Sequence, residues 1–168
     1  SNSVQELDSH DLKREIPIPY YPNQINFLDW IFITHTHIDH CDPHTLPVLA
    51  EHNPKAKFMG PKKVRKRLVE WGISSKRIYK ANSEKFEISK NVFINALPAA
   101  HPKLTYDSEG EPNEIGWIFE INNKKIFFAG DTSLTEEILN YLKKFIPIQC
   151  GFLPVNEDNF FRRRRGII

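Results

Sequence analysis

The stretch WIFITHTHIDH at positions 30–40 decides the fold of this chain. Its first four residues, Trp30 to Ile33, form a continuous apolar run of β-branched and aromatic side chains, which is typical of a strand buried on both faces. Four side chains of metal-binding types follow directly: His35, His37, Asp39 and His40. Because side chains alternate along an extended backbone, the first three are expected on one side. A turn after Asp39 would bring His40 to the same place.

These four side chains predict a metal site on a loop held by a rigid strand. Imidazole nitrogen suits zinc, iron, cobalt or manganese, and an added carboxylate favours the harder metals that activate water for hydrolysis. The alternative, a loop of merely polar surface histidines, explains this spacing less well. We therefore expect one or two divalent metal ions, with zinc and manganese both open.

Two further candidate ligands follow predicted strands. His101 comes after the strand at 92–97 and three small residues, and the alternative for it is a surface or capping histidine. Asp131 comes after an apolar strand and Gly130, and the alternative for it is the N-cap of the next helix. Both positions would present a side chain at the end of a strand, where a cleft can form.

Composition narrows the class of protein. The 168 residues, 40% hydrophobic and 26% charged, indicate one globular domain whose core does not need a metal for stability. Two cysteines are too few for a disulfide framework, and no apolar run approaches the roughly 20 residues that span a bilayer. A net charge of +2 gives no sign of a nucleic-acid partner, so the basic band at 62–67 is interpreted as a solvated helix face.

Helix signals occur at three places. Asp42-Pro43, an N-cap acid followed by proline, predicts a helix start. A second helix is expected after Gly60-Pro61, with Leu68 and Val69 on its buried side. A third is expected from Thr135, with four apolar residues on its buried face: Ile138, Leu139, Leu142 and Phe145.

Strand patterns fill most of the remaining chain. They predict strands at 57–59, 77–80, 86–88, 92–97, 115–121, 125–129 and 149–155, with Asn122-Asn123 as a tight hairpin turn. Residues 1–28 are polar and punctuated by prolines, which predicts an extended segment, and residues 29–168 are expected to form the domain. Helices mixed with clusters of strands favour an α/β architecture of packed sheets with helices outside.

The histidine motif, the later His101 and the stretch FFAGDT at 127–132 together resemble the metallo-β-lactamase superfamily. Within it, the chain is most similar to the metal-dependent hydrolases related to L-ascorbate 6-phosphate lactonase, on the stretches MGPK at 59–62, WGI at 71–73 and NEIGW at 113–117. The resemblance runs from about Leu28 to the C-terminus. It implies a four-layer αββα sandwich, α/β or α+β by different schemes, with two metals between the sheets.

The resemblance also implies a role for each candidate residue. The first metal would be held by His35, His37 and His101. The second would be held by Asp39, His40 and Asp131, with Asp131 bridging the two. Asp39 and Asp131 would be the catalytic carboxylates, and Asp39 would orient a metal-bound hydroxide.

Two departures from the superfamily pattern affect these expectations. No histidine follows His101, and no strands precede the proline-rich segment, so we expect a chain that is truncated at both ends and an incomplete sandwich. The first metal site should fill, whereas the second should be partial or empty.

The expected activity is hydrolysis of a small, anionic or phosphorylated lactone or ester. A phosphodiesterase or nuclease of the same fold and a metal-binding but inactive fragment or homologue are the alternatives. Substrate contacts are expected from Asn156, Arg162 and Arg163, although the arginine run at 162–165 is also typical of a solvated end. The chain lacks the features of a signal peptide, so we expect a cytoplasmic protein without a membrane or nucleic-acid partner, and a homo-oligomer stays open.

Overall fold

A computed structural model describes residues 17–154. The chain forms two compact units that divide after Lys80, and their described parts are residues 17–80 and 81–154. Asn156, Arg162 and Arg163, the predicted substrate contacts, lie outside the described residues, as do most of the predicted N-terminal segment and the last residue of the predicted final strand. The described end of the N-terminal segment contains one 3₁₀ turn, Pro22–Gln24.

The first unit is built on a three-stranded parallel sheet. Its strands are β1 (Trp30–Phe32), β2 (Lys57–Gly60) and β3 (Ile78–Lys80), in that order. The connections carry helices α1 (Leu46–His52) and α2 (Lys62–Glu70), and the 3₁₀ turn Ser75–Arg77 precedes β3. Parallel strands require crossover connections of this kind. The alternation of short apolar runs with helical patterns in the sequence agrees with such connections.

The core of the first unit lies between this sheet and the two helices. Phe58 of β2 and Val64 and Leu68 of α2 are completely buried in it. Gly60 permits the close packing, because a Cβ atom there would lie 2.9 Å from Cγ1 of Val64 and 3.2 Å from the carbonyl oxygen of Ile33. The end of β1 and the start of α2 are therefore held close together.

The second unit is built on a five-stranded sheet. Its strands are β4 (Phe86–Ser89), β5 (Val92–Pro98), β6 (Ile115–Ile121), β7 (Lys124–Phe128) and β8 (Cys150–Phe152), in that order. Neighbouring strands are antiparallel except β7 and β8, which are parallel and are connected through helix α3 (Glu136–Lys143). Asn122 and Asn123 join β6 to β7 with φ angles of 49° and 65°, which confirms the predicted hairpin turn.

Several predicted details are wrong. The helix after Asp42-Pro43 begins only at Leu46, because the Asp42 carboxylate instead holds a turn, accepting hydrogen bonds from the His44 amide at 2.9 Å and the Thr45 hydroxyl at 2.8 Å. Strand β1 is half-buried rather than buried on both faces. The final strand is shorter than predicted, ending at Phe152.

Two apolar helix residues predicted to be buried are exposed. Val69 is 52% exposed and Leu139 is 43% exposed. Each directly follows a buried residue, Leu68 or Ile138, and one residue along a helix rotates the side chain by about 100°. The buried face is therefore narrower than the run of apolar residues suggests.

Candidate metal centre

The histidine loop leaves the end of β1 and turns within a few residues. The Ile33 amide donates a hydrogen bond to the Met59 carbonyl oxygen at 3.0 Å, which ties the start of the loop to β2. The carbonyl oxygen of His37 then accepts hydrogen bonds from the amides of His40 at 3.0 Å and Cys41 at 2.7 Å. The chain thus turns at His37, earlier than the predicted turn after Asp39.

This turn brings three imidazole rings together within the first unit. The His35 ring is 2% exposed, and its centroid lies 4.7 Å from that of His37 and 4.2 Å from that of His40. Ring nitrogens of His35 and His37 lie within 4.8 Å of one another, as do ring nitrogens of His35 and His40. Imidazole pairs at this distance, both of which include His35, supply nitrogen donors that suit a divalent transition metal.

A hydroxyl group contacts the back of this cluster. Oγ1 of Thr34 lies 3.0 Å from Nδ1 of His35 and 3.5 Å from Nδ1 of His40. Metal-binding histidines commonly fix their ring orientation through a hydrogen bond at the nitrogen that does not face the metal. Thr34 can serve this purpose for His35 when that ring binds through Nε2.

Asp39 occupies the outer side of the loop. Its side chain is 52% exposed, and its Oδ2 lies 3.6 Å from Nε2 of His40. The carboxylate is therefore beside the histidine cluster and open to solvent. This position allows it to take part in a metal site or to accept a proton from a water molecule.

The second unit brings His101 and Asp131 together at the ends of β5 and β7. Their side chains are 6% and 25% exposed, and Nε2 of His101 lies 3.5 Å from Oδ2 of Asp131. The intervening backbone is fixed by two hydrogen bonds: the Ala100 amide donates to Oγ1 of Thr132 at 2.9 Å, and the Ser133 amide donates to the Ala100 carbonyl oxygen at 2.8 Å.

This arrangement bears on the alternatives given for both residues, whose role as metal ligands stays a prediction. His101 is too deeply buried for a surface histidine. The N-cap of α3 is Thr135, whose Oγ1 accepts a hydrogen bond from the Ile138 amide at 3.3 Å, so Asp131 does not cap that helix. Each unit thus carries one cluster of metal-binding side chains.

Arg67 is a residue at the site that sequence reasoning missed. The sequence placed it in a solvated basic band, and its side chain is indeed exposed, but its Nη1 also donates a hydrogen bond of 2.5 Å to the carbonyl oxygen of Thr36, between two of the histidines. Its guanidinium also hydrogen-bonds the Cys41 thiol. Burial raises the pKa of this thiol to about 11, against the opposing effect of Arg67. Nothing in the local sequence signals these contacts, since they span 26 to 31 residues.

The chain belongs to the Beta-lactamase superfamily domain family, whose model matches residues 4–161. This membership confirms the predicted superfamily and fold class. Among residues 17–154, no helix is both long enough and apolar enough to cross a membrane.

Similar proteins are found among both sequences and solved structures. The chain is 31% identical to a UPF0173 metal-dependent hydrolase of Flavobacterium johnsoniae over 136 residues, covering 77% of this chain and 55% of that protein. It is 26% identical to the N-acyl-phosphatidylethanolamine-hydrolyzing phospholipase D 1 of Caenorhabditis elegans over 166 residues, covering 92% of this chain and 47% of that protein. A solved structure from Parabacteroides distasonis aligns with a TM-score of 0.59 and 24% identity, covering 82% of this chain and 57% of that chain.

The chain spans 38% to 55% of the length of the curated relatives it matches.

Proposed function

We propose that this protein is a metal-dependent hydrolase of a small, anionic or phosphorylated lactone or ester. The observation that carries the proposal is the position of the His37 and His40 rings beside the buried His35, with ring centroids 4.7 Å and 4.2 Å from that of His35. The similarity to a UPF0173 metal-dependent hydrolase, 31% identical over 136 residues, supports the same reaction class. Zinc and manganese are the proposed metals, because imidazole and carboxylate ligands suit both.

The proposed ligands are the residues that match the family motif. His35, His37 and His101 would hold the first metal, and Asp39, His40 and Asp131 would hold the second. A divalent metal bound here would supply Lewis acidity and lower the pKa of water to roughly 7. Asp131 would also contribute the shared negative charge that two neighbouring cations need.

The protein's own groups would orient and deprotonate the attacking water. The exposed Asp39 carboxylate would accept a hydrogen bond from it and hold its proton at a carboxylate oxygen. The Thr34 hydroxyl, 3.0 Å from Nδ1 of His35, would keep that ring oriented. The buried position of His101 would exclude bulk water from its imidazole.

Replacement of His37 tests the proposal directly. In His37→Ala, bound metal measured by mass spectrometry of the native protein and hydrolysis of a panel of lactones and aryl esters should be lost together. His52→Ala, at an exposed position on α1, is the matched control and should leave both unchanged. A His37→Ala variant that retains metal and activity would overturn the proposal.

A phosphodiesterase is the second candidate, favoured by the 26% identity to a phospholipase D over 92% of this chain. The same metal ligands would serve, because a phosphodiester also needs an activated water and a cation at the leaving oxygen. Hydrolysis of bis(p-nitrophenyl) phosphate without hydrolysis of any lactone or ester would select this candidate.

A further inference from the structure

The second unit contains an open cavity of about 690 Å³ between helix α3 and the loop at 102–106. Glu137 and Tyr141 of helix α3 and its C-cap residue Lys144 line the cavity, and they share one side because they are spaced by four and three residues. The buried Ile138 lies about 100° around the helix axis from Glu137, on the side of the helix that faces the core. This volume lies in the range of pockets that bind small molecules.

The loop wall of the cavity is held in place by hydrogen bonds at Thr105. Its carbonyl oxygen accepts from the Asn113 amide at 3.0 Å, and its Oγ1 accepts from Nδ2 of Asn113 at 2.9 Å. The same hydroxyl donates to Oε2 of Glu114 at 2.6 Å. Hydrogen bonds to both the backbone and the side chain of Thr105 hold this loop in one conformation. The cavity is therefore preformed, which lowers the entropy cost of binding.

The cavity combines an apolar surface with polar groups of mainly positive charge. Pro102, Leu104 and the tyrosine rings supply the apolar surface, and Lys103, Lys144 and Glu137 supply the charges. Two ammonium groups against one carboxylate leave a net charge of +1.

The cavity lining also contains hydrogen-bond donors, the lysine ammonium groups and the tyrosine hydroxyls. Nζ of Lys144 lies 5.3 Å from the Tyr141 ring centroid, and the hydroxyls of Tyr106 and Tyr141 are hydrogen-bonded to one another. A tyrosine hydroxyl is protonated at neutral pH, and partial burial, and next that hydrogen bond, raise the pKa of Tyr106 further. A ligand with an apolar body and one anionic group matches this combination.

We propose that this cavity binds the non-reacting part of the substrate, as a small amphipathic anion. Pro102, which lines the cavity, directly follows His101 in the chain, so the loop that would supply a metal ligand also forms the cavity wall. The identity of the ligand as substrate rests on the proposed hydrolase function. The anion-binding property itself does not, because it needs no metal.

The test uses 2-naphthoate as the probe and the full chain after metal removal with a chelator. Binding is measured by equilibrium dialysis at low ionic strength. Lys103→Gln and Lys144→Gln should each weaken binding about threefold to fivefold, whereas Glu137→Gln should tighten it by a similar factor. Lys124→Gln makes the same charge change at an exposed position that does not line the cavity, and it should leave binding unchanged.

Neutral 2-naphthamide separates charge from apolar contact and should bind more weakly than 2-naphthoate. Equal binding of the two probes, or equal effects of the Lys103, Lys144 and Lys124 variants, would overturn the inference. With metal restored, Lys103→Gln and Lys144→Gln should raise KM for an anionic ester, Glu137→Gln should lower it, and all three should leave kcat unchanged. If the probe binds as described but no ester, lactone or phosphodiester is hydrolysed, the proposed function fails while the cavity assignment stands.

Discussion

The guanidinium of Arg67 donates a hydrogen bond of 2.5 Å to the carbonyl oxygen of Thr36, which lies 31 residues earlier in the chain. Thr36 separates His35 from His37, so this bond anchors the backbone between two candidate metal ligands to helix α2. Arg67 also hydrogen-bonds the Cys41 thiol at the other end of the same turn. One side chain therefore contacts both ends of the histidine loop.

Replacing Arg67 should weaken metal binding without removing a ligand. We expect Arg67→Met to raise the Kd for zinc about tenfold, because groups that orient metal ligands commonly contribute 10-fold to 100-fold in affinity. Arg67→Lys should recover part of the loss, since one ammonium can still reach one carbonyl oxygen. Competition with a chromogenic chelator measures both values.

Lys66→Met is the matched control for this experiment. Lys66 is the neighbouring residue on α2, and its side chain is 80% exposed. Its Nζ lies 3.9 Å from Oε1 of Glu70. Zinc affinity should be unchanged in Lys66→Met. Circular dichroism should show equal helix content in Arg67→Met, Arg67→Lys and Lys66→Met. Arg67→Met with the affinity of the original protein would show that the loop holds its shape unaided.

Local patterns of the sequence predicted much of this fold. The hairpin at Asn122-Asn123 follows from turn chemistry, because asparagine tolerates the positive φ that both positions adopt. The histidine cluster follows from a motif attached to a strand. Such features depend on residues a few positions apart, so the sequence around them contains the needed information.

The features that sequence reasoning missed depend on tertiary contacts. The Arg67 bond joins α2 to a loop 31 residues away. No local signal distinguishes Arg67 from its neighbour Lys66, since both are exposed basic residues on α2. The walls of the cavity in the second unit are a loop and a helix about 30 residues apart in the sequence. The polar residues on the helix wall have the same pattern as a solvent-exposed helix face, so the sequence does not reveal the cavity. Val69 is exposed because of its angular position around the helix axis relative to the core. The run of apolar residues in the sequence does not determine how the helix is rotated.

The two cysteines should differ strongly in reactivity. Cys41 is completely buried, whereas Cys150 is exposed on β8. In native protein at pH 8, iodoacetamide should modify Cys150 first and leave Cys41 almost untouched over the same period, as measured by peptide mass spectrometry. In denaturant both should react at similar rates, which is the control. Modification of both at equal rates in the native protein would contradict the burial of Cys41.

The ionisation of Tyr106 should be shifted to higher pH. Burial comes first among the causes and the Tyr141 hydroxyl second, and both raise the pKa of Tyr106 above its ordinary value of 10.0. Any stability that depends on the protonated hydroxyl is therefore fully present below pH 10 and lost as pH rises through the folded-state pKa.

Titration of phenolate absorbance, with the Tyr106→Phe curve subtracted, isolates this group. In Tyr141→Phe the hydrogen bond is removed but burial remains, so the pKa of Tyr106 should fall part of the way toward its ordinary value. A Tyr106 pKa that is unchanged by Tyr141→Phe would rule out the contribution of the hydrogen bond.

Gly116 should be intolerant of a methyl group, because β6 approaches the end of β7 too closely there. A Cβ atom at this position would lie 2.9 Å from the carbonyl oxygens of both Phe128 and Ala129, just before Gly130 and Asp131. We expect Gly116→Ala to lower the free energy of unfolding by about 1–3 kcal/mol, the usual cost of overpacking. Gly151→Ala on β8 is the control, since its nearest neighbour would be 3.9 Å away. Urea unfolding measures both variants, and equal stabilities would show that the backbone beside Asp131 moves without cost.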